Sequence, residues 1–172
     1  TTFCDFDTPM DQLVENHYNL GTRARVAELI SGLPKDNTQV RADQAFPLSY
    51  DIEKTKLERN LRLISDWNGV DNGRITCMLG PQAADMVTLE TLKDIKKLSE
   101  KMGIGIHMHV SQSEHENEQT LIKYHKRAIP FLKDIGYLDE SLMAIHLVDA
   151  TADEVHMLAE SGASMVACNS GS

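Results

Sequence analysis

The sequence predicts an α/β fold, a TIM (β/α)8 barrel that is incomplete, with about six βα units present. Strand-like apolar runs alternate with stretches of helical spacing along the chain, as they do in repeated βαβ units. Gly21, Gly103, Gly136 and Gly162 each follow a helical stretch and precede an apolar run, which is typical of helix ends. A barrel needs about 250 residues, and the chain has 172, so one or two units are expected to be missing.

A doubly wound parallel sheet is the alternative architecture, because it shows the same alternation of strands and helices. The sequence contains no Gly-x-Gly-x-x-Gly run and no P-loop, which argues against a nucleotide-binding version of that fold. No domain linker interrupts the chain. Residues 1–172 are therefore expected to form one partial barrel domain.

Local patterns place the individual elements. The predicted strands cover residues 2–7, 22–30, 74–79, a run that starts at residue 104, 143–148 and 163–168. The predicted helices cover residues 10–20, 51–67, 88–102, a region from 113 toward 132, and 151–161. Ser113 with Glu116 and Thr151 with Glu154 have the spacing of capping boxes, and Pro130 is expected to break or kink its helix. Residues 35–49 are polar and give no definite element.

The composition is that of a soluble globular protein, with 41% hydrophobic and 25% charged residues. A net charge of -9 and a pI of about 5.2 argue against nucleic acid and anionic membranes as partners. No apolar run approaches the roughly 18 residues of a membrane span. The odd number of widely spaced cysteines, three in all, predicts reduced thiols in a cytoplasmic protein.

Both ends of the sequence read as strands. The chain starts without a methionine in one apolar run and stops just after another. Natural domains usually end in polar tails or docked helices, so we expect the sequence to be a fragment of a longer protein.

Two histidine-bearing strands are the strongest candidates for carrying chemistry. His107 and His109 lie two residues apart in one apolar run, so both point to the same face of a strand. His109 is nearer the C-terminal end, where barrel enzymes hold their active sites, and His146 takes the matching place on the next strand. Imidazole is a common metal ligand and general base. His107 is expected to be a deeper, packed residue, although a zinc site made of all three histidines is an alternative.

Polar residues that follow these strands are candidate partners. Gln112 comes three residues after His109 and can orient a substrate or water by hydrogen bonds, but it cannot transfer a proton. Asp149 comes three residues after His146 and is either a site carboxylate or a turn residue.

In this order along the chain, these residues resemble the amidohydrolase superfamily, in particular its branch of triazine hydrolases and aminohydrolases such as the S-adenosylhomocysteine, guanine and cytosine deaminases. The matching pieces are residues 1–5, 21–24, 80–82, 107–112, 144–154 and 162–172. The resemblance implies a barrel in which strands two to seven are present and strands one and eight are missing. It also implies one divalent metal ion, zinc or alternatively iron, with His109 as one of four ligands.

The resemblance implies a metal-dependent hydrolase that cleaves a C–N or C–Cl bond of a small nitrogen heterocycle. His146 would contact the hydrolytic water or the substrate, and Gln112, Gln82 and Asp149 would complete the site. Gln112 stands where the family often has its proton-shuttling glutamate, and Gln82 stands where it often has a histidine. A non-catalytic relative of the family is therefore the second hypothesis, and an unrelated α/β binding protein is the third. We expect a cytoplasmic homo-oligomer, and an inactive fragment if the 172 residues stand alone.

Overall fold

Six strands alternate with seven helices in the part of the chain that the computed structural model describes, residues 2–34, 40–41 and 43–168. The strands are β1 (Thr2–Asp7), β2 (Arg23–Glu28), β3 (Ile75–Cys77), β4 (Ile106–Val110), β5 (Leu142–His146) and β6 (Ser164–Val166). The helices are α1 (Met10–Asn19), α2 (Tyr50–Trp67), α3 (Val70–Gly73), α4 (Leu89–Met102), α5 (Glu114–Tyr124), α6 (Ala128–Asp134) and α7 (Ala152–Ser161). The predicted series of about six βα units is confirmed.

The strands pair in parallel in chain order, β1 with β2 and β2 with β3, and then β4 with β5 and β5 with β6. The pairs form two ladders, β1-β2-β3 and β4-β5-β6. Isolated parallel bridges from Leu79 to Ile106 and from Ile30 to Pro81 join the segments that follow β2 and β3 to their neighbours. The carboxyl ends of all six strands therefore lie at one edge of a continuous parallel array.

The array is concave on one face. Ala27, Met78, Met143 and Ile145 form one buried apolar cluster, against which Phe6 of β1 and Val166 of β6 also pack. In a flat sheet with strands about 4.8 Å apart, β2 and β5 would lie about 14 Å from each other. One cluster can join side chains from β1 to β6 only if the array curves around it, as a barrel wall does.

The larger core lies between the strands and the surrounding helices. It includes Val26 and Ile106 from the strands and Leu63, Leu92 and Leu132 from the helices, all buried. The fully buried Tyr137 donates its hydroxyl hydrogen bond to the Leu92 carbonyl oxygen at 2.5 Å. The helices thus cover the outer face of the array, which is the layer order of a (β/α)8 fold.

Four predicted helix starts have side-chain caps, and the first is at α2, where the Ser49 hydroxyl accepts from the Ile52 amide. The Thr88 hydroxyl accepts from the Thr91 amide, and Thr151 with Glu154 forms a complete capping box. The box predicted at Ser113 is only half formed. Its hydroxyl accepts from the Glu116 amide at 3.3 Å, but the Glu116 carboxylate bonds to residues before the helix.

The proline prediction is wrong in its position. Helix α5 ends at Tyr124, and His125 takes a left-handed φ of 56° that closes its C-terminus. Pro130 lies in the first turn of the next helix, α6, where a missing backbone N–H leaves no helical bond unmade. The break therefore comes from the chain turn at His125 and not from the proline.

Most predicted elements agree with the observed ones within a few residues, β1 matches its predicted bounds, and the other predicted strands run longer than the observed ones. Of the uncertain region 35–49, residues 35–39 and 42 lie outside the described residues, and residues 43–49 contain no helix or strand. Among the described residues, no helix combines the length and the apolar character needed to cross a membrane.

A close backbone approach at Gly80 provides a test of this packing. A Cβ atom on Gly80 would meet the Glu28 carbonyl oxygen and would lie 2.9 Å from Phe6 Cε2. We expect Gly80→Ala to lower the free energy of unfolding by about 3 kcal/mol, because overpacking against backbone cannot relax easily. Urea denaturation of the purified variant measures the loss.

Gly21→Ala is the matched control. A Cβ atom there meets nothing within 4 Å, although the backbone has a positive φ of 73°. Only the left-handed conformation is penalised, at about 1 kcal/mol. Equal losses in the two variants would contradict the packing at Gly80.

Candidate functional site

The candidate site lies at the carboxyl ends of β4 and β5, where the structure brings His109 and His146 together. Their ring centroids are 5.2 Å apart, and the ring planes are inclined by 26°. His109 is the penultimate residue of β4, and His146 is the last residue of β5. Sequence position alone had indicated this pairing, and the geometry confirms that the two rings are neighbours.

His146 reaches His109 because the backbone departs from strand geometry. In the ladder, His146 pairs with Val110, whose side chain packs in the core against the helices. A regular strand would direct His146 to that same face. Instead His146 has a φ of 80° and Leu147 a φ of 57°, left-handed values that are strained for non-glycine residues and often occur at functional sites.

An aromatic side chain lies beside the β4 histidines. Phe6 stacks on the His107 ring at a centroid distance of 4.7 Å and also lies 4.9 Å from the His109 ring. His107 is only 3% exposed, as expected for a packed residue deeper in the strand. Sequence analysis missed Phe6, although the alternation of β1 could have placed it on the inner face.

The buried histidines are poor bases in this setting. Burial, with the neighbouring His146 as the second cause, lowers the pKa of His109 to about 4. Burial likewise lowers the pKa of His107 to about 4, with His109 as a second cause. At neutral pH both rings are therefore uncharged, which leaves one ring nitrogen with a free lone pair.

The lone pairs matter for metal binding. The Nδ1 atoms of His107, His109 and His146 are buried and have no hydrogen-bond partner among the described residues. Neutral imidazole with an uncommitted nitrogen is a suitable metal ligand, so His109 fits one position of a metal site. Within residues 2–34, 40–41 and 43–168, however, no group of three or more histidine, cysteine or acidic side chains could hold a metal ion. The alternative of a self-contained three-histidine zinc site is therefore wrong for the described residues.

Gln82 lies at the same edge of the array. Its backbone N–H donates to the Ile30 carbonyl at 2.8 Å, and its carbonyl accepts from the His109 N–H at 3.0 Å. These two bonds tie the loop after β3 to the segment after β2 and to β4. The partly exposed Gln82 side chain is thus carried by backbone that is bonded directly to His109.

Gln112 and Asp149 lie in the loops that follow β4 and β5. Gln112 is exposed, and its backbone N–H donates to the Glu116 carboxylate at 2.8 Å. The Asp149 carboxylate accepts from Asn117 Nδ2 at 2.8 Å and lies 3.3 Å from an Arg127 guanidinium nitrogen. Both contacts engage Asp149 with protein groups, which favours the turn interpretation of this residue over a site carboxylate.

Two carboxyl groups near these loops are buried, which their sequence positions did not predict. Asp85 is 1% exposed, and neither carboxylate oxygen has a hydrogen-bond partner among the described residues. Burial raises its pKa to about 6. Burial also raises the pKa of Glu116 to about 8, and the nearby charge of Asp85 adds to the effect. The apolar neighbours of Asp85 at residues 83, 84, 86 and 87 were a signal that it is buried.

Comparison with known proteins places this arrangement in a family. The sequence profile of the amidohydrolase family matches residues 1–171. A 5-methylthioadenosine/S-adenosylhomocysteine deaminase of Moorella thermoacetica is 28% identical over 168 residues, which are 98% of this chain and 36% of that protein. The chain therefore spans about a third of the length of this relative.

Solved structures show the same fold. A triazine hydrolase from Arthrobacter aurescens superimposes with a TM-score of 0.79 at 18% identity, over 97% of this chain and 38% of that one. An adenosine deaminase from Xanthomonas campestris with bound zinc gives a TM-score of 0.74 at 22% identity, over 93% of this chain and 33% of that one. These likenesses confirm the partial barrel and exclude the doubly wound alternative.

The buried Asp85 makes stability depend on pH. Its pKa in the folded state, about 6, lies above the value near 4 of an unfolded chain. The folded state therefore binds this proton more tightly, and the resulting stabilisation is lost as the pH rises through about 6. We expect Asp85→Asn to raise the free energy of unfolding by about 1–3 kcal/mol at about pH 8 and to change it little at about pH 4.

Urea denaturation at the two pH values measures this difference. The control is Asp66→Asn, which removes an exposed carboxylate and is expected to change stability by less than about 0.5 kcal/mol at either pH. A loss of stability in Asp85→Asn at the higher pH would show that the charged carboxylate is compensated in the folded protein.

Proposed function

Because the chain belongs to the amidohydrolase family, we propose that the protein carrying it is a metal-dependent hydrolase of nitrogen heterocycles. The reaction is the displacement of a ring substituent by water, with cleavage of a C–N bond in a deamination or of a C–Cl bond in a dechlorination. The observation that carries the proposal is the pair of His109 and His146, 5.2 Å apart at the carboxyl ends of two adjacent barrel strands. Enzymes with this fold hold their active sites at that end.

His109 is the proposed metal ligand of this segment. Its ring is neutral at physiological pH, because burial lowers its pKa to about 4, and its Nδ1 atom has no hydrogen-bond partner among the described residues. A bound divalent ion, zinc or alternatively iron, lowers the pKa of a coordinated water and so supplies hydroxide near neutral pH. The zinc bound by the Xanthomonas adenosine deaminase supports zinc as the first choice.

His146 is the proposed partner of the attacking water. It stacks beside His109 and has a buried Nδ1 atom without a hydrogen-bond partner in the described part of the chain. An imidazole can donate or accept a hydrogen bond and can exchange a proton. With His109 committed to the metal, His146 orients the water and stabilises the charge that develops on the ring.

Gln112 and Gln82 are the proposed substrate-facing amides. A glutamine side chain both donates and accepts hydrogen bonds, and it transfers no proton. Gln112 therefore orients the heterocycle or the water, and the proton passes through His146 or through groups outside these 172 residues. The contacts of Asp149 with Asn117 and Arg127 give that residue a supporting role in the loop that follows His146.

The chain represents an incomplete barrel in this proposal. It spans 36% of the Moorella deaminase, and among the described residues β1 and β6 each pair on one side only. Apolar side chains on these two strands are half exposed, with Phe3 at 49% and Met165 at 56%. We place the first and last barrel strands, with the remaining metal ligands, outside the 172 residues, so this segment alone is inactive.

The proposal extends to the wider setting of the protein. Small heterocycles are its substrates, since the relatives include a deaminase of nucleoside derivatives and a triazine hydrolase. We retain a cytoplasmic location and a homo-oligomeric state as parts of the proposal.

A non-catalytic barrel is the second candidate function. One observation favours it, which is that both Gln82 and Gln112 replace residues with acid–base chemistry in the family pattern. Such a protein would keep the fold and bind a heterocycle without turning it over.

Metal analysis and turnover of His109→Ala in the full-length protein test the proposal. We expect wild type to contain one divalent ion for each chain and to act on an aminated or chlorinated heterocycle in a substrate screen. His109→Ala is expected to lose the ion and to reduce kcat/KM by about a thousandfold or more, because the metal contributes several kcal/mol to the transition state.

His156→Ala is the matched control, because His156 is an exposed histidine on α7. It should retain both the ion and the activity. If the wild type contains no metal ion and turns over none of these compounds, the proposal of a hydrolase is refuted. That result would favour the non-catalytic barrel.

A further inference from the structure

The loop that follows β4 has an unusual backbone conformation. Ser111 has a φ of 47°, a left-handed value that a non-glycine residue adopts only where its surroundings impose it. This residue lies between His109, at the end of β4, and Gln112, which faces solvent at the same end of the barrel. The conformation of Ser111 therefore decides where Gln112 projects.

One buried carboxyl group holds this loop. Glu116 is 4% exposed, and one of its oxygens accepts from the Ser111 N–H at 3.0 Å while the other accepts from the Gln112 N–H at 2.8 Å. A carboxylate in a capping box would instead return to the N–H of the capping residue. Among the described contacts, the Ser113 N–H does not donate to Glu116, because the Glu116 side chain bonds instead to the N–H groups of Ser111 and Gln112.

The same loop is tied to the loop after β5. The Ser111 carbonyl accepts from the Asp149 N–H at 2.9 Å. Asn117, the residue next to Glu116, donates to the Asp149 carboxylate at 2.8 Å and accepts from the Ala128 N–H at 2.9 Å. The backbone around Gln112 is thereby fixed relative to the strand that ends in His146.

We propose that Glu116 is a positioning residue of the reaction, which acts through Gln112. The Glu116 carboxyl group fixes two successive N–H groups, and so it holds the backbone that carries the Gln112 side chain at the end of β4. A side chain that is held in place before the substrate binds loses less freedom on binding, and misplacement of such a group reduces the rate. This inference rests on the proposed function and adds to it the element that orients Gln112.

A simpler role would be the stabilisation of the start of α5. A carboxylate in the first turn of a helix interacts favourably with the helix dipole, and the exposed Glu114 occupies that turn as well. The two roles differ in one respect. Only the positioning role requires that the effect of Glu116 on turnover disappear when the Gln112 side chain is absent.

A double-mutant cycle in the full-length protein makes this distinction. Glu116→Gln, Gln112→Ala and the double variant are compared in kcat and KM on the heterocycle that the wild type turns over. We expect each single change to reduce kcat/KM by about 10–100-fold and the double variant to be no worse than the poorer single variant. The metal content should be unchanged in all three variants.

Amide hydrogen exchange provides a readout that does not depend on activity. Faster exchange at Ser111, at Gln112 or at both is the expected result in Glu116→Gln, because glutamine keeps one acceptor oxygen and presents an NH2 group to the other N–H. Glu118→Gln is the control, since Glu118 is an exposed carboxylate on the same helix, and it should change neither exchange nor kcat/KM. If Glu116→Gln does not fold, Glu116→Asp takes its place in the cycle, because aspartate keeps the carboxyl group and loses reach.

The inference is overturned if the double variant loses kcat/KM by the product of the two single losses. It is also overturned if amide exchange at Ser111 and Gln112 is unchanged in Glu116→Gln. Failure of the proposed function has a different signature, namely wild type without metal or turnover. In that case the exchange experiment still decides whether Glu116 holds the loop.

Discussion

The curvature of the parallel array is the constraint on which the rest of the structure depends. One apolar cluster draws together side chains from β1 to β6, and it does so on the face that carries His107 and His109. Because the helices cover the opposite face, the inner side chains have few other partners. The packing of Phe6 on both β4 histidines is a direct result, since β1 and β4 would be far apart in a flat sheet.

The site combines a rigid part and a part under conformational strain. His109 is held in regular strand geometry, with its backbone bonded to Gln82. His146 and Ser111 instead have left-handed backbone conformations, and each lies where a strand gives way to a loop. At Ser111 the N–H donates to the Glu116 carboxyl group and the carbonyl accepts from the Asp149 N–H, and such over-determined loops keep strained residues in place. The strain turns His146 away from the helix-facing core and toward His109.

The sequence predicted the fold and the pairing of the histidines because both depend on periodicity. Alternating apolar runs defined the order of strands and helices, and the position of His109 and His146 near strand ends indicated that they would meet. Side-chain partners across the fold could not be read in this way. Glu116 was expected to bond within its capping box, but three-dimensional proximity directed it to Ser111 and Gln112. The burial of Asp85 and the contact of Phe6 with His109 likewise depend on packing between distant segments.

The strand order also bears on how such a protein is made. Each strand pairs with its successor in the chain, from β1 through β6, so each new βα unit that leaves the ribosome can dock on the edge formed just before it. Proteins dominated by contacts between sequence neighbours fold faster than proteins dominated by distant contacts. The growing sheet would keep two open edges, one at β1 and one at its leading strand, until a late strand meets the first. Closure of the barrel is then the slow, long-range step, and protection of these edges by chaperones would be most valuable just before it.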